Sequence, residues 1–315
     1  MSDAADRDPD AHQVHRVEVD DGLSLAYVRE GTGGYPLLLV HGYPETKRIW
    51  WRNIEPLADA GFEVIAPDLR GHGDSDLAPD GFYDIAAFSD DLRSLMRELG
   101  HDRYGMVGGD VGALVLYDHG LRFPGAVERQ CFFNTLPPPL GERYEQAGIP
   151  PDEPHHVRQS ADYFRRQSRD ADALLAELDT PARRRAYVAD MYGHRLWAAP
   201  GTFDPDDVDF MTEPYADAAR LRASWGVYEG ATGNRPLWDA PRVFETNPVP
   251  TLVLYGPEDH VVPASFPQRC AVAFTECIGP FVVPGAGHFL QWEAAGILNR
   301  ALVYLFRDLL ETHHA

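Results

Sequence analysis

Asp110 stands at the centre of the segment Gly-Gly-Asp-Val-Gly, where its side chain could act as a nucleophile. An apolar run ends at Gly108, and Ala113–Tyr117 is typical of the first turns of a buried helix. This is the strand, turn and helix arrangement of a nucleophile elbow. Small residues at Gly108 and Gly112 let the backbone turn sharply and lift the central side chain into a cavity. The sequence therefore predicts a carboxylate nucleophile.

A carboxylate nucleophile restricts the reactions that are chemically reasonable. Attack of Asp110 on an ester would form an anhydride, which is uphill. Attack on a saturated carbon instead opens an epoxide or expels a halide, and it leaves an ester bound to the enzyme. The sequence therefore favours these two reactions over ester hydrolysis. The alternative is that the segment is only an acidic turn.

Two more polar residues follow predicted strands near the end of the chain. Asp259 lies in the loop after Thr251–Tyr255, and His288 lies in the loop after Phe281–Val283. In a parallel sheet both loops lie at the carboxyl edge, which also carries the elbow. The chain order Asp110, Asp259, His288 is that of nucleophile, acid and histidine in a catalytic triad. Taken singly, each of the last two is equally typical of an ordinary loop.

The elements that position these residues alternate between strand and helix. Strands are predicted at Val14–Val19, Leu23–Arg29, Leu37–Val40, Phe62–Ala66, the run before the elbow, Val127–Asn134, Thr251–Tyr255 and Phe281–Val283. Helices are predicted at Thr46–Asp59, Ile85–Leu99, the segment after the elbow and Ala295–Leu310. This alternation indicates an α/β fold with a parallel sheet that is covered on both faces.

The middle of the chain has a different character. From Pro137 to Asn247 the sequence contains helix-like stretches rich in Arg, Ala, Tyr and Trp, without a clear buried strand. We therefore predict a core formed by residues 1–136 and 248–315. Residues 137–247 would be inserted between its two parts as a helical cap.

Composition excludes several classes of partner. The formal net charge of -21 argues against binding to nucleic acid or to anionic membranes, because their phosphates repel such a surface. No apolar run is long enough to span a bilayer, and the polar N-terminal residues do not resemble a secretory signal. The length of 315 residues is compatible with a monomer or a homodimer.

The three cysteines indicate a reducing compartment. Cys131, Cys270 and Cys277 have no metal-ligand spacing, and any disulfide would leave one of them unpaired. Each lies in an apolar segment, so we expect buried free thiols and a cytoplasmic protein.

Several motifs of this chain occur together in one known superfamily. They are His41-Gly42-Tyr43-Pro44-Glu45 with Trp50 shortly after, Asp68-Leu69-Arg70-Gly71-His72-Gly73-Asp74-Ser75, the Asp110 elbow, Asp259 and Gly287-His288-Phe289. On these motifs the chain resembles the α/β-hydrolase superfamily, and within it the epoxide hydrolases and their dehalogenase relatives. The resemblance implies the α/β-hydrolase fold, with a mostly parallel central sheet flanked by helices and an inserted helical cap.

The resemblance also implies roles for residues beside the triad. Backbone N–H groups of Tyr43 and Val111 would form an oxyanion hole. The substrate pocket would include four residues, namely His41, Pro44, Trp50 and Trp225.

The residues near the elbow favour one branch of the superfamily. Haloalkane dehalogenases typically have a Trp directly after the nucleophile, and this chain has Val111. Fluoroacetate dehalogenases have arginines just after the nucleophile, where this chain has Val111 and Leu114. Epoxide hydrolases need a pair of cap tyrosines that protonate the opening epoxide. Tyr228 is the first candidate and Tyr163 the second, with Tyr187, Tyr192 and Tyr215 as substitutes.

The resemblance therefore implies hydrolysis of a small-molecule epoxide to a vicinal diol. Asp110 would form a covalent ester, and water activated by His288 and Asp259 would hydrolyse it, without a cofactor or metal. One alternative is a dehalogenase that uses the same Asp110 and holds the halide with Trp197 or Trp225. Others are a tailoring enzyme for an epoxide on a larger natural product, or a non-catalytic binding protein on this fold.

Overall fold

The computed structural model describes residues 7–20, 22–151, 163–193 and 197–313 of the chain. Its central feature is an eight-stranded sheet with the order β1-β2-β4-β3-β5-β6-β7-β8. The strands are β1 Val14–Asp20, β2 Leu23–Glu30, β3 Tyr35–Val40, β4 Phe62–Pro67, β5 Tyr104–Gly109, β6 Val127–Phe133, β7 Thr251–Tyr255 and β8 Cys277–Val282.

The sheet is mostly parallel. Only β1 with β2 and β2 with β4 pair in antiparallel fashion, and the six strands from β4 to β8 in sheet order are parallel. Strands β3, β4 and β5 are buried along their whole length, which explains their nearly continuous apolar sequences. Because these strands run in the same direction, the loops after β3, β5, β6, β7 and β8 meet at one edge.

Helices flank this sheet. They are α1 Trp51–Asp59, α2 Ile85–Glu98, α3 Asp110–Arg122, α4 Gly141–Gln146, α5 Tyr163–Arg169, α6 Ala171–Glu177, α7 Pro181–Tyr192, α8 Pro205–Thr212, α9 Ala218–Ser224, α10 Gly226–Ala231, α11 Phe266–Ala273, α12 Leu290–Glu293, α13 Ala295–Leu305 and α14 Arg307–His313. Within the described residues, the stretch between β6 and β7 contains helices α4 to α10 and no strand. The fold class predicted from the sequence is confirmed, whereas the exact domain boundaries stay a prediction.

The structure corrects the predicted bounds of three elements. The predicted helix Thr46–Asp59 begins instead with a 3-10 helix, Lys47–Trp50, which continues into α1. Strand β8 begins at Cys277, well before the predicted start, because it pairs with β7 from that residue onward.

The third correction is at the C-terminal end, where Phe306 breaks the predicted helix into α13 and α14. Its buried ring packs against Tyr35 and Phe62, with centroid distances of 5.6 and 5.7 Å. The helix thus breaks at the residue whose ring packs against strands β3 and β4.

The cysteines are free, and their burial differs. Cys131 and Cys270 are buried as predicted, but Cys277 is partly exposed because it opens the edge strand β8. No helix in the described ranges has the length and apolar character needed to cross a membrane.

Candidate active site

The turn between β5 and α3 places Asp110 at the carboxyl edge of the sheet. Asp110 has a φ of 47°, in the left-handed region that residues with a Cβ seldom adopt. A Cβ at Gly112 would lie 2.4 Å from the carbonyl oxygen of Val40, and one at Gly108 would lie 2.9 Å from the carbonyl carbon of Gly112. Glycine is therefore required at both positions for the elbow to form.

The structure brings the three residues of the predicted triad together. His288 Nδ1 lies 2.7 Å from Asp259 Oδ2, and His288 Nε2 lies 3.4 Å from Asp110 Oδ2. Asp259 is fixed through its other oxygen, which accepts hydrogen bonds from the N–H groups of Val261 and Val262 at 2.8 and 3.1 Å. His288 is thus oriented by one carboxylate and faces the other.

The charge of His288 depends on these two carboxylates. Burial alone would lower the pKa of His288, but Asp259 and Asp110 outweigh it and raise this pKa well above 6.5. The two carboxylates therefore favour the protonated imidazolium form of His288 in the free protein.

Tyr43 holds the second oxygen of the nucleophile. The Tyr43 N–H donates a 2.7 Å hydrogen bond to Asp110 Oδ1. Close approach is possible because Gly42 has no Cβ, which would lie 2.6 Å from the Cβ of Asp110. The N–H of Val111 belongs to the first turn of α3, where it has no acceptor within the helix. Its contribution to an oxyanion hole stays a prediction.

Glu45 holds the loop after β3, residues 41–46, in place. Sequence reasoning did not single it out as a site residue. Its carboxylate accepts hydrogen bonds from the Gly42 N–H at 2.6 Å and from Gln291 Nε2 at 2.8 Å. Burial raises the pKa of Glu45 to about 8. A buried carboxyl group thus connects the loop after β3 to the segment that follows His288.

Asn134 is a second residue that sequence reasoning missed. Among the described residues, Asn134 and Asp110 are the two non-glycine residues with positive φ, and the Asp110 N–H donates to the Asn134 carbonyl at 3.0 Å. The Asn134 amide accepts from the Gly256 N–H at 2.9 Å and donates to the carbonyl of Gly287. Asn134 therefore links the loops that carry all three triad residues. Its position at the end of a predicted strand was the signal that could have found it.

Tyr163 and Tyr228, the two preferred cap tyrosines, lie together and close enough to Asp110 to feel its charge. Their ring centroids are 5.7 Å apart, and Tyr43 contacts both rings. Burial raises the pKa of each hydroxyl well above 10, and the negative charge of Asp110 raises both further. Both hydroxyls therefore keep their protons at neutral pH. The buried Tyr228 hydroxyl interacts with the Tyr163 hydroxyl, but among the described residues it has no partner in good hydrogen-bond geometry.

The three substitute tyrosines are engaged elsewhere. The hydroxyls of Tyr192 and Tyr215 donate to the carbonyls of Pro44 and Glu45, both at 2.7 Å. The Tyr187 hydroxyl accepts a hydrogen bond from Gln167 at 3.0 Å. Tyr192 and Tyr215 therefore hold the loop after β3 through its backbone carbonyls.

The four residues predicted to line the substrate pocket occupy different positions. Trp225 Nε1 donates to the Tyr43 hydroxyl at 3.2 Å, and the Pro44 carbonyl accepts from the cap as described above. His41 is buried, with Nε2 accepting from the Leu69 N–H at 3.0 Å and Nδ1 lying 2.9 Å from the Gly42 carbonyl. Trp50 is fully buried. His41 and Trp50 thus support the loop from within the core, and contact with substrate stays a prediction for all four.

Comparison with known proteins identifies the family to which this geometry belongs. A family model described as alpha/beta hydrolase fold matches residues 35–295. The chain belongs to this family.

Two individual proteins and one solved structure show how similar this chain is to known members of the family. Epoxide hydrolase A of Mycobacterium tuberculosis (strain ATCC 25618 / H37Rv) is 29% identical, with 94% of this chain and 98% of that protein covered. The soluble epoxide hydrolase of Corynebacterium sp. (strain C12) is 38% identical over 39% of this chain, and the match spans 42% of that protein's length. The solved structure of epoxide hydrolase CorEH without ligand has a TM-score of 0.79 at 24% identity, with 94% of this chain and 99% of that chain covered. At this identity the structural likeness shows the fold.

Proposed function

We propose that this protein is an epoxide hydrolase that converts a small-molecule epoxide to a vicinal diol through an ester on Asp110. The observation that carries the proposal is the environment of that carboxylate. One oxygen accepts the Tyr43 N–H, the other faces His288, and two protonated tyrosines lie above. The names of the two similar proteins given above support the same reaction class.

The first step is displacement at saturated carbon. Asp110 Oδ2 attacks an epoxide carbon, a C–O bond forms, and the bond from that carbon to the epoxide oxygen breaks. The electron pair stays on the oxygen, which takes a proton from Tyr228 or Tyr163. The Tyr228 hydroxyl is suited to this role, because it has no described partner in good geometry and the epoxide oxygen would supply a well-formed hydrogen bond.

The second step is hydrolysis of the ester. His288 removes a proton from water, which attacks the carbonyl carbon of the Asp110 ester, and negative charge develops on Oδ1. The N–H of Tyr43 already points at that oxygen, and one such donor contributes about 3 to 4 kcal/mol in comparable sites. The intermediate collapses, the alkoxide takes the proton from His288 and leaves as the diol, and the water oxygen remains on Asp110. The carboxyl group of Asp110 then returns its proton to His288, which restores the starting state.

Alkylation itself prepares His288 for the second step. The ester has no charge, so Asp110 no longer raises the pKa of His288, whereas Asp259 and burial continue to act. The pKa of His288 therefore falls, which favours transfer of its proton to the tyrosinate left by the first step. The histidine is thus better able to act as a base once the ester has formed.

Dehalogenation by the same Asp110 is the nearest alternative. It needs N–H groups that can hold a halide, and the Trp225 indole N–H is already donated to Tyr43. Trp197, the other predicted halide ligand, lies with its ring centroid 5.1 Å from that of His288. Because the Trp225 indole N–H already donates to Tyr43, epoxide hydrolysis is favoured over dehalogenation.

The experiment is intact-protein mass spectrometry of the His288→Gln variant with epoxides, chloroalkanes and haloacetates. The proposal predicts a mass increase equal to a whole epoxide, because alkylation proceeds and hydrolysis stops. An increase equal to an alkyl or carboxymethyl fragment, with halide released, would establish a dehalogenase instead. No adduct with any compound, while the variant remains folded, would contradict both reactions for this panel.

A further inference from the structure

The Glu293 side chain, at the end of α12, accepts hydrogen bonds from three backbone N–H groups in two parts of the chain. Its Oε2 accepts from Gly287 at 2.9 Å and from Ala199 at 2.7 Å, and its Oε1 accepts from Phe289 at 2.8 Å. The hydroxyl of Thr202 lies 3.1 Å from the same Oε2. Glu293 is far along the chain from Ala199 and Thr202, so these bonds join the histidine loop to the cap.

Two of these N–H groups flank the catalytic base. Gly287 and Phe289 are the residues directly before and after His288, and one carboxylate holds both peptide groups. The N–H of His288 itself donates to the carbonyl of Trp197 at 2.7 Å. The backbone on both sides of the histidine is therefore anchored by Glu293 and by the cap segment that begins at Trp197.

We infer that Glu293 is a positioning residue for ester hydrolysis, which it serves by holding His288 in the orientation that reaches the ester on Asp110. This inference rests on the proposed function. Glu293 does not touch the reacting atoms, and it acts through the peptide groups beside His288. Because the same carboxylate also binds Ala199, the position of the base depends on docking of the cap segment.

The chemistry of the acceptor explains why a carboxylate is needed. Both oxygens of an ionised carboxylate only accept hydrogen bonds, which matches three N–H donors. A glutamine would have one oxygen and one NH2 group, and the NH2 group would face at least one N–H in either orientation. The polar groups left without an acceptor then draw the loop away from its position.

The two steps of the reaction distinguish positioning from general stability. Alkylation needs Asp110 and the cap tyrosines, whereas ester hydrolysis needs an aligned His288. A small misplacement of a catalytic group costs roughly 10- to 100-fold in rate. We therefore expect Glu293→Gln to slow ester hydrolysis by that factor and to leave alkylation within about twofold. A general loss of folded enzyme would lower both steps equally.

The test follows the ester by rapid quench and intact-protein mass spectrometry with an epoxide that forms an adduct on His288→Gln. The expected result for Glu293→Gln is an adduct that forms at the normal rate and decays slowly. Glu293→Asp keeps the charge but is one methylene shorter, and it should give intermediate decay. It also serves as the second variant if Glu293→Gln does not fold. Equal slowing of both steps, or normal decay of the adduct in both variants, would overturn the inference.

Asp308→Asn provides the matched control. Asp308 also accepts charged hydrogen bonds, from Arg129 at 2.5 and 2.6 Å, but it lies on α14 away from the triad. Its loss should leave the rates of both steps unchanged. Failure of the proposed function would be recognised separately, because His288→Gln itself would then form no epoxide adduct.

Discussion

The two sides of the proposed site are held in place differently. The predicted triad on the core side is held by hydrogen bonds, whereas the two tyrosines on the cap side are held by contacts between aromatic rings. Asp110 and Asp259 accept backbone N–H groups, and His288 is bonded to Asp259. Tyr163 and Tyr228 instead pack against each other and against the ring of Tyr43.

This difference matches the two kinds of work that the proposed reaction requires. A nucleophile and a base must be aligned within a narrow range, and directional hydrogen bonds provide that alignment. A proton donor must meet an oxygen that moves as the ring opens, so a hydroxyl without a fixed partner is suitable. We expect changes to His288 and to the groups that hold it to separate the two steps, and changes to the cap tyrosines to act on the first step alone.

The largest effect is expected for Asp259→Asn on the core side. Loss of the negative charge lowers the pKa of His288 and removes the acceptor that selects its tautomer, so ester hydrolysis should fall by about 10⁴-fold. Alkylation by Asp110 should continue, and the adduct should accumulate. Single-turnover mass spectrometry measures both rates, and a variant that loses alkylation to the same extent would remove the distinction between the steps.

A smaller effect is expected for Tyr228→Phe on the cap side, where alkylation should fall by about 10²-fold. The free energy of unfolding should change little, because the lost hydroxyl makes no hydrogen bond of good geometry among the described residues.

Tyr192→Phe is the control for this prediction, since it removes the hydrogen bond to Pro44 and should cost about 1 kcal/mol of stability. Its alkylation rate should fall much less than that of Tyr228→Phe. Urea unfolding and single-turnover rates check both variants. The reverse pattern, with Tyr228 stabilising the fold and Tyr192 setting the rate, would contradict the assignment.

The smallest effect is expected for Glu45 on the core side, and it concerns how the free energy of unfolding depends on pH. Burial raises the pKa of Glu45 from 4.5 to about 8, so the folded state keeps a proton that the unfolded state releases between these values. The free energy of unfolding therefore falls as pH rises through this window, by up to a few kcal/mol at about 1.36 kcal/mol per unit. Glu45→Gln cannot ionise and should show a shallower fall in urea titrations. Identical pH profiles for the two proteins would show that Glu45 does not carry this linkage.

The sequence was sufficient to predict the fold class and to select the residues that meet at the site. Asp110, Asp259 and His288 could be chosen because parallel strands bring their carboxyl ends to one edge. Tyr163 and Tyr228 came from the resemblance, and the structure places both beside Asp110. The chemistry of these residues remains a proposal.

Other features could not be predicted, because they depend on contacts between distant parts of the chain. Asn134 and Glu293 hold catalytic loops through backbone groups, which have no sequence signature of their own. The break at Phe306 depends on space beneath the sheet, and the raised pKa of Glu45 depends on burial.

A single turnover in water enriched in heavy oxygen tests the covalent ester most directly. The reaction is run with enzyme in excess over the epoxide. The mass of the diol and the mass of the peptide that contains Asp110 are then measured separately by mass spectrometry. A covalent ester on Asp110 predicts that Asp110 gains one heavy oxygen and that the first diol released contains none, because water attacks the ester carbonyl. A heavy oxygen in the diol with an unlabelled Asp110 would mean that water opens the epoxide directly, and it would contradict the covalent ester.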